Sequence, residues 1–187
     1  MVYKFDHEQD KQAGKRRARQ ASNTTPMTAT LKAEPLTAAA FAPFGDVLVA
    51  PAQPGRSYFD GLLENARADA RPSLSIVNAV PAGHLPLEVT LLERHEFSSQ
   101  SFVPMRGGRW LVIVCPSAAN GDPDVAQAKA FIAQPGQGLT YRCNVWHHSL
   151  IVLDEPASYA IFMWRDGTEA DEEFRRVAPF TVDVSPT

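Results

Sequence analysis

Short apolar runs separated by proline and glycine constrain the fold of this chain more than any other feature. The 187 residues include 15 prolines and 11 glycines. Short runs that end at turn residues are typical of β-strands. The predicted strands are Asp46–Val49, Leu74–Val80, Leu87–His95, Gln100–Pro104, Arg109–Cys115, Ala128–Ala133, Leu139–Tyr141, Val145–Leu153 and Ala157–Trp164. Many short strands in succession favour a barrel or a jelly roll.

One helical signal stands ahead of these strands. Thr37 belongs to the residue types that cap helix N-termini, and Ala38–Phe41 follows it before Pro43 ends the segment. Gly45 then turns the chain into the first predicted strand. The sequence shows no internal repeat. The predicted fold class is therefore mostly β, a barrel or jelly roll with one or two short helices.

Charge is distributed unevenly along the chain. Residues 1–26 carry six Lys and Arg and three Asp and Glu, a net of +3, which leaves −6 for the remainder of a chain whose total is −3. Because this segment has no periodic apolar face, we expect residues 1–26 to form a polar, basic, disordered extension and residues 27–187 to form one domain. No apolar stretch follows the twin arginine at Arg16 and Arg17, which argues against an export signal.

Composition also excludes several classes of function. An acidic domain is not typical of proteins that bind nucleic acid. No apolar run approaches the ~20 residues of a membrane-spanning helix, so we expect no membrane partner. The two cysteines, Cys115 and Cys143, provide neither a disulfide framework nor a metal-binding pattern. Reduced thiols of this kind indicate a cytoplasmic protein.

The first candidate site lies at the end of the predicted strand Leu87–His95. Side chains alternate between the two faces of a strand, so Glu93 and His95 point the same way while Arg94 points to the opposite face. Gln100 follows five residues after His95. Two such ligands on one strand can converge on a single metal ion, with the next strand supplying another. The alternative is a surface strand whose Glu93 and His95 face solvent.

The second candidate site is the polar segment Tyr141–His148, which ends in two adjacent histidines. If the chain continues as one strand, Trp146 and His148 share one face, and His147 and Ile151 share the other. Only one of the two histidines can therefore join a given site. The alternative is a histidine that is hydrogen-bonded in the core and has no functional role.

These segments, together with several others, resemble the ureidoglycolate lyase family, whose members have the cupin fold. The residues that carry the resemblance are Leu36, Thr37, Phe41, Phe44–Val47, His84–Leu87, Leu92–His95, Gln100, Phe102–Gly107, Phe131, Ile132, Gly136, Gly138 and Asn144–His148. In cupins a His-x-His pair and a later carboxylate bind a metal inside the barrel. Glu93 stands here where the first of those histidines would be, and Gln100 stands where the carboxylate would be.

The resemblance implies an activity, a cofactor and an assembly. The activity is cleavage of (S)-ureidoglycolate to glyoxylate and urea in allantoin degradation. The cofactor is a divalent metal, nickel, and the assembly is a homodimer. The expected catalytic residues are Glu93, His95, His147 and His148, with one of the two adjacent histidines facing the site. The expected metal ligands are Glu93, His95, Gln100 and His147. The expected substrate-binding residues are Arg106, Arg142, Gln100, Tyr141 and Asn144, with Arg106 or Arg142 on the carboxylate.

The chain departs from the family pattern at four positions, Asp60, Ala79, Arg142 and Trp164. Because several of these positions fall near the expected substrate pocket, two other functions stay open. One is a related cupin enzyme that acts on a different ureido or 2-hydroxy acid. The other is a non-catalytic cupin that binds a small acid. Turnover of ureidoglycolate compared with related carbinolamides tests the first alternative, and a melting temperature raised by glyoxylate without turnover indicates the second.

Overall fold

A computed structural model of the chain describes residues 29–184, so the predicted extension 1–26 lies outside the described residues. One helix, α1, spans Ala38–Phe41, and the Thr37 hydroxyl caps it by accepting a hydrogen bond from the Ala40 N–H. Single 3₁₀ turns occupy Asp60–Leu62, Val125–Gln127 and Glu169–Asp171. The strands are β1 Thr30–Lys32, β2 Glu34–Pro35, β3 Gly45–Leu48, β4 Arg71–Ala79, β5 Leu87–Arg94, β6 Gln100–Arg106, β7 Trp110–Cys115, β8 Lys129–Ala133, β9 Gly138–Tyr141, β10 Trp146–His147, β11 Ile151–Val152, β12 Ala157–Arg165 and β13 Glu173–Asp183.

These strands form two sheets that pack face to face. The large sheet has the order β1-β13-β5-β10-β7-β8-β2, with β11 also paired to β7, and the small sheet has the order β3-β9-β6-β12-β4. The main core lies between the sheets and contains Phe102, Trp110, Tyr141 and Tyr159. A second apolar cluster covers the opposite face of the large sheet. The prediction of a mostly β barrel or jelly roll with one or two short helices is confirmed. No helix among residues 29–184 is long and apolar enough to cross a membrane.

The longest strand, β13, was not predicted from the sequence. It begins with charged residues and contains Pro179, a pattern that argues against a strand. In the structure β13 pairs with β5, but the ladder is interrupted between Arg176 and Phe180. Pro179 therefore falls where no ladder hydrogen bond is required of it.

The predicted strand Val145–Leu153 is divided into β10 and β11 by a bulge. From His147 to Ile151 the chain advances four residues, while their partners on β7, Val114 and Leu111, are only three residues apart. One extra residue reverses the alternation of side chains beyond this point. Ile151 therefore packs in the cluster that contains Trp146, so the prediction that it shares the face of His147 is wrong.

Candidate functional site

Three side chains from two neighbouring segments converge at one end of the space between the sheets. Glu93 on β5 is directly opposite His147 on β10, and His95 follows immediately after β5. One ligand atom from each of these residues lies within 4.8 Å of the others. His95 and His147 are buried, with 3% and 1% of their surface exposed. Glu93, His95 and His147 are called the triad below.

The His95 imidazole is held with one free nitrogen facing the triad. Its Nδ1–H donates a hydrogen bond of 2.7 Å to the backbone carbonyl of Asp171. Because a carbonyl can only accept, the neutral ring keeps its lone pair on Nε2, which is buried and has no hydrogen-bond partner. Burial, and next the charge of His147, lower the pKa of His95 to about 4. His95 is therefore neutral at pH 7.

His147 has the same arrangement, because its Nδ1–H donates to the Val145 carbonyl at 2.9 Å. Its Nε2 lies 3.4 Å from the Glu93 Oε1 and makes no hydrogen bond. The ring stacks on Tyr141, with centroids 4.1 Å apart and planes 16° from parallel. The imidazole nitrogen and the carboxylate oxygen therefore face each other without a hydrogen bond, a contact that a cation bound between them would stabilise.

Glu93 is the most exposed member of the triad, with 14% of its side-chain surface exposed. Burial by itself raises the pKa of Glu93, but the neighbouring His147, then the charge of His95 and the Ser149 hydroxyl, outweigh it. The net pKa lies below its ordinary value, so Glu93 is ionised at neutral pH. Its second oxygen, Oε2, accepts a hydrogen bond of 3.2 Å from the Ser149 hydroxyl.

The small sheet supplies the facing wall of the site. Gln100 at the start of β6 lies between its ladder partners Tyr141 and Met163. Its Nε2 donates a hydrogen bond of 3.7 Å to the Met163 sulfur, while its Oε1 is buried and has no partner. Burial, and next the charge of Glu93, raise the pKa of Tyr141 far above its ordinary value. The Tyr141 hydroxyl therefore stays protonated.

The triad and Gln100 suit a divalent metal ion. Three buried atoms without partners, His95 Nε2, His147 Nε2 and Gln100 Oε1, stand beside the ionised Glu93. Protein nitrogen and oxygen ligands lie about 2.0–2.2 Å from such an ion, so two ligands of one ion lie roughly 3–3.5 Å apart. The 3.4 Å between His147 and Glu93 matches this spacing. Mixed imidazole and carboxylate ligands suit first-row divalent metals, nickel included.

Arg94, on the opposite face of the large sheet, holds the loop that carries His147. Its guanidinium donates to the Asn144 side-chain oxygen at 2.7 Å, pairs with Glu173 at 2.6 Å and lies 4.5 Å from the Trp146 ring centroid. Asn144 has a left-handed backbone with a φ of 66°, and its N–H donates to the His95 carbonyl. Asn144, predicted to bind substrate, therefore serves to join the two strands that bear the histidines.

The carboxylate of Asp171 organises the turn whose carbonyl holds His95. Its oxygens accept hydrogen bonds from Arg67 at 2.6 Å and from the backbone N–H groups of Asp166 and Gly167. Burial raises the pKa of Asp171, but these donors and the Arg67 charge outweigh it, so the net pKa is lowered. Asp171 was not predicted from the sequence. The local pattern around it indicates only the turn that begins at Asp166, and a turn does not single out Asp171.

Three of the predicted site residues lie away from the triad. Arg106 is at the far end of β6 from Gln100, roughly 20 Å along the strand. It bonds Ser158 on the outer face of the small sheet. Arg142 is exposed and contacts the Ala42 carbonyl. His148 bonds the Ser149 carbonyl and is not a member of the triad. The structure therefore does not support the prediction that Arg106 or Arg142 binds the substrate carboxylate.

The site opens toward solvent along β5. The core between the sheets contains no buried apolar residue of β5 or β13. Leu91, on the same face as Glu93, is 41% exposed, and Ser149 is exposed as well. A separate groove of about 550 Å³ is lined by Phe44, Lys129 and Asn144 among others and includes none of the triad. We call the exposed face of β5 and β13 beside the triad the cleft.

Comparison with known proteins points to one family. The chain matches the family model described as ureidoglycolate lyase over residues 28–183. A ureidoglycolate lyase from Burkholderia mallei is 40% identical over 141 residues, which cover 71% of this chain and 81% of that protein. A ureidoglycolate lyase from Mesorhizobium japonicum is 38% identical over 152 residues, which cover 76% of this chain and 91% of that protein.

Among solved structures, a 3,4-ketoisomerase from Helicobacter canadensis aligns with 53% of this chain and 66% of its own. The TM-score is 0.35 and the sequence identity 16%, a likeness too low to support an argument about function.

Proposed function

The chain belongs to the ureidoglycolate lyase family, and on that premise we propose that it cleaves (S)-ureidoglycolate to glyoxylate and urea at the triad. The observation that carries the proposal is the convergence of Glu93, His95 and His147, with unpartnered buried atoms, beside an open cleft. The residues that depart from the family pattern at Asp60, Ala79 and Trp164 are not members of the triad.

The reaction requires a proton to move from oxygen to nitrogen. The reacting carbon of ureidoglycolate bears a hydroxyl, a carboxylate and a ureido nitrogen. Loss of the hydroxyl proton allows the carbonyl of glyoxylate to form while the carbon–nitrogen bond breaks. The departing nitrogen takes up one proton and becomes urea. No covalent intermediate is needed, so a serine or cysteine nucleophile is not required.

Glu93 is suited to carry that proton. It is ionised at neutral pH, and its Oε2 lies on the side of the cleft, where Ser149 donates to it. In the proposed reaction Oε2 accepts the hydroxyl proton and then returns it to the departing nitrogen. The same carboxylate acts first as a base and then as an acid, so the proton count of the site is unchanged after each turnover.

The other polar groups hold the site in place. Glu93 Oε1, His95 Nε2, His147 Nε2 and Gln100 Oε1 would hold a divalent metal, for which nickel is our candidate. The chemistry that a bound divalent cation supplies is to lower the pKa of a hydroxyl beside it. Tyr141 fixes the plane of His147 by stacking, and both imidazoles of the triad are buried.

The proposed activity is tested by measuring glyoxylate release from ureidoglycolate by purified protein. We expect turnover of the (S) isomer, with urea formed in equal amount. Turnover of a different carbinolamide instead would favour the related-enzyme alternative. If glyoxylate raises the melting temperature but no ureidoglycolate is consumed, the protein is a binding cupin and the proposal is wrong.

The metal proposal predicts that chelation removes both the ion and the activity. Elemental analysis of untreated protein should show about one divalent ion per chain, and dialysis against a chelator should remove it. Nickel or manganese added back should restore glyoxylate release. A Glu93→Gln, His95→Ala double variant should bind no stoichiometric metal, which is a readout that does not depend on activity. Unchanged rates in metal-free protein would contradict the proposal.

We further propose that the protein works in the cytoplasm as a homodimer in allantoin degradation. Support for self-association comes from the outer face of the small sheet, where Leu74, Ile76, Val103 and Met105 are exposed large apolar side chains. Contiguous apolar surface of this kind commonly marks a protein contact. Light scattering should give twice the mass of the 187-residue chain, and a monomer at micromolar concentration would contradict the dimer.

A further inference from the structure

The cleft contains a cation that neither the family pattern nor the sequence analysis singled out. On β13, Phe174 is directly opposite Glu93, and Arg176 is directly opposite Leu91. Opposite residues on paired strands share a face. Arg176 therefore projects from the same face of the large sheet as Glu93, at the open side of the site.

The partners of the neighbouring residues confirm this orientation. Glu173 and Arg175 alternate with Phe174 and Arg176 along β13, and both face the other side of the sheet. Glu173 pairs there with Arg94, and Arg175 pairs with Glu173 and Asp122. Arg175 and Arg176 are thus adjacent in sequence but point to opposite faces.

Arg176 differs from the other arginines around the site in having no partner. Arg94 is bound to Glu173 and Asn144, while Arg67 and Arg165 both contact Asp171. Within residues 29–184, no hydrogen bond or ion pair engages the Arg176 guanidinium, and the side chain is exposed. An unpaired guanidinium is available for a planar, bidentate contact with a carboxylate.

The reach of the side chain fits the distance to the triad. Arg176 is the diagonal neighbour of Glu93, and diagonal Cβ atoms on paired antiparallel strands are ~7–8 Å apart, within reach of a long side chain. The ladder between β13 and β5 is interrupted directly after Arg176, where four residues on β13 correspond to two on β5. Interruptions of this kind re-aim side chains and are over-represented beside active sites.

We infer that Arg176 binds the substrate carboxylate and orients the molecule with its carboxylate toward the mouth of the cleft and its hydroxyl toward Glu93. This inference rests on the proposed function for the identity of the substrate. The carboxylate carbon is bonded directly to the reacting carbon, so a cation at the mouth places that carbon beside the triad.

The experiment compares the wild-type protein with Arg176→Gln, Arg176→Lys and the control Arg175→Gln, which removes an equal charge from the opposite face. A charge-assisted contact made equally in the bound substrate and the transition state affects KM more than kcat. We expect Arg176→Gln to raise KM for ureidoglycolate about 10–100-fold, with kcat within roughly threefold. Arg176→Lys should recover part of the loss, and Arg175→Gln should match wild type.

A binding measurement separates this inference from the proposed function. Wild-type protein should bind glyoxylate more tightly than its uncharged methyl ester, and Arg176→Gln should lose that preference while Arg175→Gln keeps it. If wild-type protein fails to turn over ureidoglycolate but shows this binding pattern, the proposed activity is wrong and the carboxylate-binding role of Arg176 is supported. The inference would be overturned if Arg176→Gln kept the wild-type KM and the wild-type preference for glyoxylate over its methyl ester. The binding preference can be measured whether or not the protein turns over ureidoglycolate.

Discussion

Replacing His147 with alanine is expected to lower glyoxylate release by at least ~10²-fold, a loss typical of removing one essential group from a catalytic site. His147 carries one of the three convergent atoms of the triad and stacks on Tyr141. Its removal leaves Glu93 without the nearest of its two histidine partners. A glyoxylate assay on the folded variant measures the effect, with circular dichroism to verify folding.

The matched control is His148→Ala, which changes the adjacent residue on the same segment. The His148 ring bonds the neighbouring Ser149 carbonyl and does not belong to the triad. We expect its activity to stay within roughly threefold of wild type, well below the ~10²-fold loss at His147. The opposite ranking, with His148→Ala inactive and His147→Ala active, would refute the assignment of the site to the triad.

Replacing Asp171 with asparagine is expected to lower the free energy of unfolding by about 3 kcal/mol, the lower end of the range for breaking a buried ion pair. The Asp171 side chain is 3% exposed and neutralises Arg67, which is itself largely buried. Asp166 also contacts Arg67, so part of the compensation remains in the variant. Urea denaturation of wild type and variant gives the difference.

Asp154→Asn is the matched control, because Asp154 pairs with Arg109 at a similar distance of 2.7 Å but is 37% exposed. Exposed pairs contribute about 0–1 kcal/mol. We therefore expect Asp154→Asn to destabilise the protein far less than Asp171→Asn. Equal effects at the two positions would show that burial of the Asp171 pair does not determine its contribution.

The Asp171 contribution should also depend on pH, with a sign set by its lowered pKa. A carboxylate whose pKa is lower in the folded protein stabilises it above the unfolded value and loses that contribution as pH falls. The difference in unfolding free energy between wild type and Asp171→Asn should therefore be full at pH 6 and shrink below the ordinary value of 3.8. A difference that grows toward acid pH would contradict the lowered pKa.

Much of the fold could be predicted from local pattern. Alternating apolar residues and flanking turn residues located β4 to β9 and β12, because each of these strands has one face in the core. The strand β13 was not predicted because its first half faces the cleft on one side and solvent on the other. With polar residues on both faces, apolar and polar side chains do not alternate there. Its position is determined by pairing with β5, about 80 residues earlier in the chain.

Some residues of the candidate site could likewise be predicted from local pattern, and others could not. Glu93 and His95 could be proposed from spacing alone, since residues two apart on a strand share a face. Their neighbours Asp171 and Arg176 come from distant segments that reach the site only through the strand order of the large sheet. Arg106 lies away from the triad because β6 carries that residue to the opposite end of the small sheet.

By itself, the sequence located most of the strands and indicated that the fold is mostly β. It also indicated that Glu93, His95 and one of two adjacent histidines are the polar groups to examine. The alternation of apolar and polar residues is a local property, so it identifies a strand wherever one face of that strand is buried. The tertiary structure alone decided that His147 rather than His148 joins the triad and that Arg176 shares its cleft. Those choices depend on which strands become neighbours and in what register, and register is set by contacts between residues far apart in the chain.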